Sequence, residues 1–455
     1  MSSEIMKIPL SPPRLEQLLE EVPAGEFQKL FGISPIQGQR YLHWDELRHR
    51  TPPNNLTSEL WWLGIKVARK GMMKTIPLID KHGRSIAFSM PDPVLRLLHE
   101  IDRQAAGEIA MDGHAVSSED RNRYLVSSLI EEAITSSQLE GASTTREDAK
   151  QMLRTGRSPH DRSEWMILNN YHVMEEVRAL KNEPFTPERI LELHRIVTDR
   201  TLDDDNAAGR FRHDNERISI MDATHTTVLH NPPDAGTLAE RLQRLCDFAN
   251  QDENAQPFVH PVIRAILIHF MLAYDHPFVD GNGRTARALF YWSMARSGYW
   301  LMEYLSISRL IKQAPAKYAR AYLHTETDDN DATYFILYHL NIIENAINAL
   351  HEYLARKMEE QHNAEKLLKH APKLSEGLNH RQVALISHAL RNSGHTYTVE
   401  SHKRSHQITT QTARTDLLKL VDLELLEKRK RGRAFIFYAP ADLSECIKRV
   451  TRDND

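Results

Sequence analysis

Residues 276–287 read His-Pro-Phe-Val-Asp-Gly-Asn-Gly-Arg-Thr-Ala-Arg, and this stretch constrains the fold more than any other. Before it, His260-Pro261 opens a pattern in which apolar residues recur at three- and four-residue steps, as in a helix. After it, residues 285–297 again have helical spacing. The stretch is therefore predicted to contain the end of one helix, a glycine-rich turn and the start of a second helix.

The predicted turn has the composition of an anion site. Gly281, Asn282 and Gly283 place backbone N–H groups at a helix start, where they have no intrahelical partner and the helix dipole adds positive potential. Arg284 and Arg287 lie three residues apart on one face of the second helix. Each guanidinium can bind phosphate oxygens.

Two further residues of the stretch suit phosphate chemistry. Asp280 can hold a Mg²⁺ ion that bridges phosphate oxygens, and His276 is a residue type that ordinarily titrates near neutrality and serves as a general base. No Gly-Lys-Ser/Thr follows the glycines, which excludes a P-loop, and a helix precedes the turn where a dinucleotide-binding motif would have a strand. The plainer interpretation is a helix–loop–helix turn with a buried histidine and solvated arginines; the whole string disfavours it.

The stretch resembles the signature of the Fic family, His-Pro-Phe-x-Asp-Gly-Asn-Gly-Arg-x-x-Arg, at every fixed position. Members of that family are mostly protein adenylyltransferases, which move AMP from ATP to a Ser, Thr or Tyr hydroxyl of a target protein and release pyrophosphate. The resemblance implies a mainly α fold, with a Fic-type helical domain and a small β-hairpin flap. It also implies ATP as substrate and Mg²⁺ as cofactor, with a target that the sequence does not identify and with self-modification as one outcome.

The resemblance also implies roles for individual residues. His276 would deprotonate the target hydroxyl, Phe278 would anchor the loop in the core, and Asp280 would bind Mg²⁺. The residues implied to contact the phosphates or the nucleotide are Gly281, Asn282, Gly283, Arg284, Arg287 and Tyr318. For Tyr318 and its neighbour Tyr322, packing in the core is an equally good interpretation.

A second element of the sequence precedes the signature. Residues 119–140 are predicted to form one helix, and the sequence Ser136-Ser137-Gln138-Leu139-Glu140-Gly141 ends it. A carboxylate in the last turn opposes the helix dipole, so Glu140 is expected to have a cationic partner unless it is solvated at a frayed end. The Ser-x-x-x-Glu-Gly pattern, with Gly141 as a C-cap, resembles the inhibitory motif of the Fic family. That resemblance implies that Glu140 pairs with Arg287 and holds ATP in an unproductive pose.

A third element is a predicted hairpin between the other two. Ile218, Ser219, Ile220 and Met221 form one short β-prone run, and residues 227–229 form a second. The hairpin resembles the flap of the Fic family, which pairs with the backbone of the target and aligns its hydroxyl. Recognition by strand addition draws affinity from main-chain hydrogen bonds, so it predicts little about the target's sequence.

Composition limits the class of protein. The chain has 455 residues, 41% hydrophobic and 26% charged, as in soluble globular proteins, and a net charge of −4 does not indicate a generally polyanionic partner. It has two cysteines, Cys246 and Cys446, and no apolar run that approaches 18 residues. A basic leader with an apolar core is absent from the first residues. We expect a cytoplasmic protein without a membrane segment.

The sequence predicts four segments. Residues 1–95 form an N-terminal region without an assigned activity, residues 96–355 the Fic catalytic domain, residues 356–372 a polar linker or solvated helix, and residues 373–445 a C-terminal winged helix-turn-helix domain.

In the C-terminal segment, Asn379 and Thr409 are predicted to cap helices, and residues 425–438 are predicted to form a hairpin whose connection, residues 428–433, is basic. Residues 403–433 contain nine Lys or Arg and four Asp or Glu, a net of five positive charges. Such a module often binds DNA through its second helix and phosphates through its basic residues. It equally serves as a homodimer or protein-docking unit, so DNA and a second copy both stay open as partners.

Three functions follow from these elements. The first is an ATP- and Mg²⁺-dependent AMP transferase inhibited by Glu140. The second is removal of AMP from a modified protein at the same site, with Glu140 orienting water. The third is a DNA-binding regulator whose Fic domain senses a nucleotide. The intact signature favours transfer, because a sensor does not need His276.

Overall fold

The computed structural model describes the chain in the ranges 6–22, 25, 27–105, 118–222, 224–252, 254–369, 377–392, 395–406, 408–431, 434–440 and 443–452. It divides into two compact units, Met1–Asn348 and Ala349–Asp455. Within the described ranges, no helix combines the length and the apolar character that crossing a membrane requires.

The N-terminal part of the first unit is a small helical cluster followed by a hairpin. Its elements are α1 Leu15–Glu21, α2 Phe27–Leu30, α3 Trp44–Leu47, α4 Ser58–Lys70, β1 Lys74–Ile79 and β2 Ser85–Phe88. The Thr57 hydroxyl caps α4 by accepting from the Leu60 N–H at 3.2 Å. Trp44, Trp61 and Trp62 are buried in one apolar cluster, as core residues should be.

The rest of the first unit is mainly helical, which confirms the predicted fold class. Its elements are α5 Asp92–Ala105, α6 Ser118–Leu139, α7 Arg146–Thr155, α8 Arg162–Ala179, α9 Pro187–Thr198, β3 Ile220–Met221, β4 Val228–His230, α10 Leu238–Ala249, α11 Pro261–Asp275, α12 Asn282–Arg296, α13 Ile307–Gln313, α14 Pro315–Thr327 and the first part of α15 Thr333–Lys369.

Helix α11 is the centre of this part. It starts at Pro261, whose missing N–H costs nothing at the first helical position. From Val262 onward it is buried on nearly every side, and α12 follows it after a turn of six residues with a comparable degree of burial. A helix that is apolar all round belongs in a core. The two helices therefore hold the signature turn between them on a rigid support.

Buried polar contacts join the N-terminal cluster to the end of α14 and the start of α15. Lys66 Nζ lies 2.7 Å from Asp328 Oδ1, and the Tyr41 hydroxyl donates to Asp331 Oδ2 at 2.6 Å. Arg69, which is almost fully buried, donates to the Tyr334 hydroxyl at 2.9 Å. Buried charges need such partners. The predicted boundary at residue 95 thus falls inside one compact unit.

The flap hairpin is shorter than predicted. Strands β3 and β4 pair at Ile220 with His230 and at Met221 with Val228, with a register irregularity between the two pairs. Ile218 and Ser219 lie outside the strand, which corrects their assignment to it. The physical reason is local: the Ser219 hydroxyl donates to the Asn231 side chain at 2.9 Å, and the irregularity disrupts the ladder beside it.

The second unit contains helices and a three-stranded antiparallel sheet. Its elements beyond α15 are β5 Thr396–Tyr397, β6 Glu427–Arg431, β7 Ala434–Tyr438, α16 His380–Arg391, α17 Val399–His406, α18 Thr410–Asp422 and α19 Leu443–Arg452. Asn379 and Thr409 cap α16 and α18 as predicted. The sheet order is β5-β7-β6. The winged-helix assignment itself stays a prediction.

Helix α15 continues to Lys369, so the described part of residues 356–372 is helical, which is one of the two structures that the sequence left open; residues 370–372 lie outside the described ranges. One detail of the second unit differs from expectation. The basic residues from Lys428 to Arg431 lie in β6 and not in the connection between strands. Lys428, Arg429 and Lys430 are exposed, and charge on an outer strand such as β6 protects an open edge. Gly432 and Arg433 lie outside the described ranges.

Candidate active site

His276 ends α11 in a left-handed conformation, with φ 44° and ψ 57°. Its N–H still bonds to the Leu272 carbonyl at 3.0 Å. A left-handed backbone is unfavourable for a residue with a side chain, so the surroundings must hold it. Arg212 supplies that support: its Nε donates to the His276 carbonyl at 3.0 Å, and its own N–H donates to the Pro277 carbonyl at 2.9 Å.

Burial lowers the pKa of the His276 imidazole to about 4. The Ala273 carbonyl and the Glu140 carboxylate both raise this pKa, but by less than burial lowers it. The ring is therefore neutral at physiological pH. Its Nδ1 lies 3.4 Å from the Ala273 carbonyl, which suits Nδ1 as the protonated nitrogen. The other nitrogen, Nε2, is then free to accept a proton, which is what a general base requires.

The turn after His276 is held by its own side chains. The Asn282 amide donates to the Phe278 carbonyl at 2.8 Å and accepts from the Phe278 N–H at 2.9 Å. Gly281 has φ 81°, and a Cβ there would lie 2.8 Å from a methyl of Thr198, so a side chain is excluded. Phe278 is fully buried, as an anchor should be.

Helix α12 begins without a side-chain cap. The N–H groups of its first turn therefore point into the site with the positive end of the helix dipole behind them. This is the anion-binding arrangement that the glycine-rich turn predicts.

Asp280 lies at the open side of this turn. Its Oδ1 accepts from the Gly281 N–H at 2.6 Å, and its Oδ2 lies 3.6 Å from Arg162 Nη2 and 3.7 Å from Arg284 Nη2. The side chain is 37% exposed. A carboxylate with one oxygen turned towards cations, beside a helix N-terminus, is a suitable ligand for a divalent ion.

Arg284 is fully buried with an incomplete set of partners. Its Nη1 donates to the Val197 carbonyl at 3.0 Å, but its Nε and Nη2 have no hydrogen-bond partner among the described residues. Burial lowers the pKa of this guanidinium from its usual value. A buried donor without an acceptor is costly, so an anion within reach of these nitrogens would stabilise the arrangement.

Arg287 is almost fully buried and its partners lie on α6 and just beyond its end. Its Nη2 donates to Glu140 Oε1 at 2.8 Å and to the Ser136 carbonyl at 3.1 Å, and its Nε donates to the Ser136 hydroxyl at 2.8 Å. Although burial alone would lower the pKa of Arg287, the Glu140 carboxylate raises it. The predicted pair of Glu140 with Arg287 is thus present in the geometry.

Glu140 can lie against the first turn of α12 because Gly283 has no side chain. A Cβ at Gly283 would lie 2.0 Å from Glu140 Oε1. Helix α6 ends at Leu139, one residue before Glu140, and Gly141 follows with φ 95°. The left-handed glycine turns the chain and directs the carboxylate back onto the first turn of α12.

A family model described as the Fic/DOC family matches residues 184–294, which include the whole signature. These residues form a Fic domain. A protein from Drosophila willistoni named protein adenylyltransferase Fic is 33% identical over 168 residues, covering 35% of this chain and 31% of the relative. The protein of the same name from Drosophila melanogaster has the same identity and coverage. The chain thus spans about a third of the length of these curated relatives.

A crystal structure of a Fic family protein from Desulfovibrio desulfuricans G20 covers 78% of this chain and 98% of its own, with 18% identity and a TM-score of 0.49. That likeness is too low to add to the assignment, which rests on the family match and the curated relatives.

The surroundings of the signature turn include buried polar residues that the sequence analysis missed. Glu132, almost fully buried on α6, accepts from the Ser306 hydroxyl at 2.7 Å and the Ser308 N–H at 3.1 Å. It lies one helical turn before Ser136 on the same face of α6, and Glu140 follows directly after the last residue of that helix. A carboxylate within an apolar stripe was the available signal, since buried carboxylates need specific partners.

His194 and Arg212 were missed in the same way. His194 lies in the apolar stripe of α9, and its ring stacks on Phe278 with 3.7 Å between centroids. The Arg212 guanidinium contacts both the His276 carbonyl and the Pro233 carbonyl, which follows the flap. His194 lies in the apolar stripe of a helix, and Arg212 lies in a short loop segment. The sequence alone does not predict which carbonyls their side chains contact.

The flap is tied to the end of α11 by its second strand. His230, the last residue of β4, lies within hydrogen-bonding distance of the Tyr274 carbonyl and of Glu326, both at 2.8 Å. Ile220 and Met221 form the other strand and are half-buried. The docking role of Ile218, Ser219, Ile220 and Met221 stays a prediction.

Tyr318 lies behind Arg287. Its hydroxyl is 2.9 Å from His269 Nε2 and 3.1 Å from the Tyr322 hydroxyl. Burial raises the pKa of Tyr318, and the nearby Arg287 opposes that rise. The contacts agree with the packing interpretation, and the implied nucleotide contact of Tyr318 stays a prediction.

Proposed function

We propose that this chain transfers AMP from ATP to a Ser, Thr or Tyr hydroxyl of a protein, and that Glu140 inhibits the transfer. The observation that carries the proposal is the 2.8 Å ion pair of Glu140 with Arg287, set inside a complete signature turn. In the reaction the hydroxyl oxygen attacks the α-phosphorus, the bond to the β-phosphate oxygen breaks, and pyrophosphate leaves. The hydroxyl proton passes to His276.

The histidine supplies the base. His276 is neutral because burial lowers its pKa to about 4, so Nε2 can take the proton of the acceptor hydroxyl as the oxygen attacks. The Arg212 hydrogen bond to the His276 carbonyl holds the backbone that aims the ring. Positioning and charge stabilisation supply most of the remaining rate in phosphoryl transfer.

The turn supplies the charge stabilisation. The N–H groups of Gly283 and its neighbours at the start of α12 would bind the phosphate chain. Arg284 offers two nitrogens that have no hydrogen-bond partner within the described ranges, and they suit the same purpose. Arg287 would bind the γ-phosphate once Glu140 leaves it. These buried donors are the structural reason to expect a polyphosphate substrate.

The site also fits Mg²⁺. The described part of the chain contains no group of three or more His, Cys, Asp or Glu that could hold a metal by itself. Mg²⁺ in nucleotide sites is commonly held by one or two carboxylates plus phosphate oxygens, and Asp280 provides such a carboxylate. When bound, the ion would neutralise charge on the phosphates.

Inhibition follows from competition for one guanidinium. The Glu140 carboxylate occupies the side of Arg287 that a γ-phosphate would use, and it lies over Gly283. ATP can still enter, but with its terminal phosphate displaced, the α-phosphate is not in line with the acceptor hydroxyl. Removing the carboxylate would restore the productive pose.

Removal of AMP is the second candidate. The Glu140 side chain is 29% exposed, so water can reach a carboxylate that lies beside the phosphate site. Such a carboxylate can orient water towards a phosphodiester. Transfer and removal would use the same residues. Glu140 would hinder transfer, whereas it would assist removal.

A DNA-binding regulator is the third candidate. Lys428, Arg429 and Lys430 are exposed on the outer strand β6, where they could meet phosphates. The same surface could serve a second copy of this chain or another protein.

The deciding experiment compares wild type with Glu140→Gly in the presence of labelled ATP and Mg²⁺, with intact mass to count the AMP groups added. Glu140→Gly should become modified and wild type much less. Glu140→Gly with His276→Ala is the matched control and should stay unmodified. If Glu140→Gly lowered modification of every acceptor, the inhibitory role would be wrong. If it also abolished release of AMP from a modified protein, the removal candidate would replace transfer.

A further inference from the structure

His194 lies between Asp280, the proposed metal ligand in the signature turn, and Gly209, in the segment that leads to the flap. The side chain is fully buried, and its ring is stacked on Phe278 at an interplanar angle of 12°. One ring nitrogen, Nε2, lies 2.9 Å from the Asp280 carbonyl, and the other, Nδ1, accepts from the Gly209 N–H at 3.0 Å. Packing alone would not need either nitrogen.

These two contacts determine the proton's position on the ring. The Gly209 N–H is a donor, so Nδ1 must carry a lone pair. The Asp280 carbonyl is an acceptor, so Nε2 must carry the hydrogen and donate it. The ring is neutral in one tautomer and bridges two segments of backbone. A ring held by stacking and by two hydrogen bonds has little freedom to turn.

We propose that His194 is a positioning residue for Asp280, which it orients for Mg²⁺ through the Asp280 carbonyl. The inference rests on the proposed function, because it concerns the metal of that reaction. Asp280 Oδ1 is already used by the Gly281 N–H at 2.6 Å, so Oδ2 is the oxygen left for the ion. Its direction depends on the Asp280 backbone, which the His194 hydrogen bond fixes.

Within the described ranges, neighbouring contacts give the Asp280 backbone few other restraints of this kind. Gly281, the next residue, has the conformational freedom of a glycine, although Thr198 limits the space beside it. Arg162 and Arg284 contact the carboxylate at 3.6 and 3.7 Å, which are attractions between charges and not directed hydrogen bonds. Removing a partner that orients a metal ligand commonly changes metal affinity or activity by about 10- to 100-fold.

Two substitutions of similar polarity separate the two contacts. In His194→Gln the longer amide can reach the position of Nε2 and still donate to the Asp280 carbonyl. In His194→Asn the shorter amide can reach the position of Nδ1 and still accept from the Gly209 N–H. His194→Phe keeps the stacking on Phe278 without either hydrogen bond. All three are made in full-length Glu140→Gly protein, where Arg287 is available.

The measurement is the affinity for ATP, titrated once with Mg²⁺ and once with EDTA. The ratio of the two dissociation constants gives the contribution of the metal and does not require turnover. We expect the ratio to fall about tenfold in His194→Asn and His194→Phe. His194→Gln should keep most of it. Affinity in EDTA should stay near that of the Glu140→Gly parent in all three, and thermal unfolding would be followed alongside.

Each other result counts against the proposal. Equal ratios in His194→Gln and His194→Asn would mean that the Asp280 contact is not the one that matters. Equal losses of affinity with Mg²⁺ and with EDTA would indicate a structural role alone. If the Glu140→Gly parent itself bound no ATP, the proposed function would fail and this inference with it, which is a different result from a normal parent with unchanged variants.

Discussion

Two basic stretches of this chain behave in opposite ways. Arg284 and Arg287 in the signature are buried, with side-chain exposures of 0% and 3%, and packing around them leaves each guanidinium little freedom. Lys428, Arg429 and Lys430 on β6 lie in water. Lys428 lies over the Phe435 ring at 4.7 Å and Arg429 over the Tyr438 ring at 4.8 Å, contacts that many partners could replace.

The difference shows where a charge is informative about function. A buried guanidinium must have acceptors. Two Arg284 nitrogens lack one among the described residues, and Arg287 has the Glu140 carboxylate, so the pair suits the polyanionic ligand that we propose. A solvated cation needs no protein acceptor because water serves as one. Its presence therefore does not indicate which partner it binds. Substitutions should therefore have large, specific effects in the first stretch and small, salt-dependent effects in the second.

The largest effect is expected at His276. His276→Ala in the Glu140→Gly background should lower AMP transfer by about 10²–10⁴-fold, because the base is removed while the phosphate site remains. Transfer is followed as label incorporated per minute, and ATP affinity is measured as the control, which should change little. Transfer at the parent's rate would remove His276 from the chemistry.

The next effect tests Arg287. Glu140→Gly should raise transfer on the order of tenfold or more, the usual range for coupling between two sites. Arg287→Ala removes the same ion pair but also removes the γ-phosphate ligand, so it should not activate. The two variants are compared side by side by intact mass. If Arg287→Ala were activated as much as Glu140→Gly, the only role of Arg287 would be its ion pair with Glu140. Binding of the γ-phosphate by Arg287 would then be excluded.

A smaller effect is expected at Glu132. Glu132→Gln keeps the shape of the side chain but weakens its acceptance from Ser306 and Ser308, so α6 should hold Glu140 less firmly and transfer should rise a few-fold. The double-mutant cycle with Glu140→Gly tests this, because Glu132→Gln should add no activation once the carboxylate is absent. Additive effects would separate Glu132 from the inhibition.

The pH dependence sharpens the contrast between a buried and a solvated base. A solvated histidine titrates near 6.5, whereas burial lowers the pKa of His276 to about 4. Since the neutral form is the active one, kcat/KM of Glu140→Gly should show no loss with a midpoint near 6.5 as pH falls from about 8 to 6. The loss should come only at a pH of about 4 or below, because Glu140→Gly removes a carboxylate that raises the His276 pKa. A midpoint near 6.5 would mean that His276 is accessible to water in the free enzyme.

The smallest effect is expected on β6. Replacing Lys428, Arg429 and Lys430 by Gln should leave AMP transfer unchanged. If the surface binds duplex DNA, the slope of log affinity against log salt should fall by roughly 0.9 for each phosphate that the variant no longer neutralises. Lys181→Gln, an exposed lysine of the first unit, is the control. Failure of the full-length protein to retain a duplex at low salt would exclude the DNA candidate.

The main helices and their caps could be predicted from the sequence because their signals are local. His260-Pro261, Thr57 and Asn379 start helices through contacts within a few residues, and the apolar spacing marks the buried faces. Strand limits were less accurate. Ile218 and Ser219 have strand-forming character, but the ladder depends on a partner strand and on the Asn231 side chain.

The sequence by itself determined the signature turn, the order of its residues and the glycines that let the backbone approach a phosphate. The fold decided which side chains meet across long separations: Glu140 with Arg287, His194 with Asp280, Arg212 with His276 and Glu132 with Ser308. The physical reason is that periodicity and capping act within one or two helical turns. A buried polar group, in contrast, finds its partner wherever packing brings one within about 3 Å.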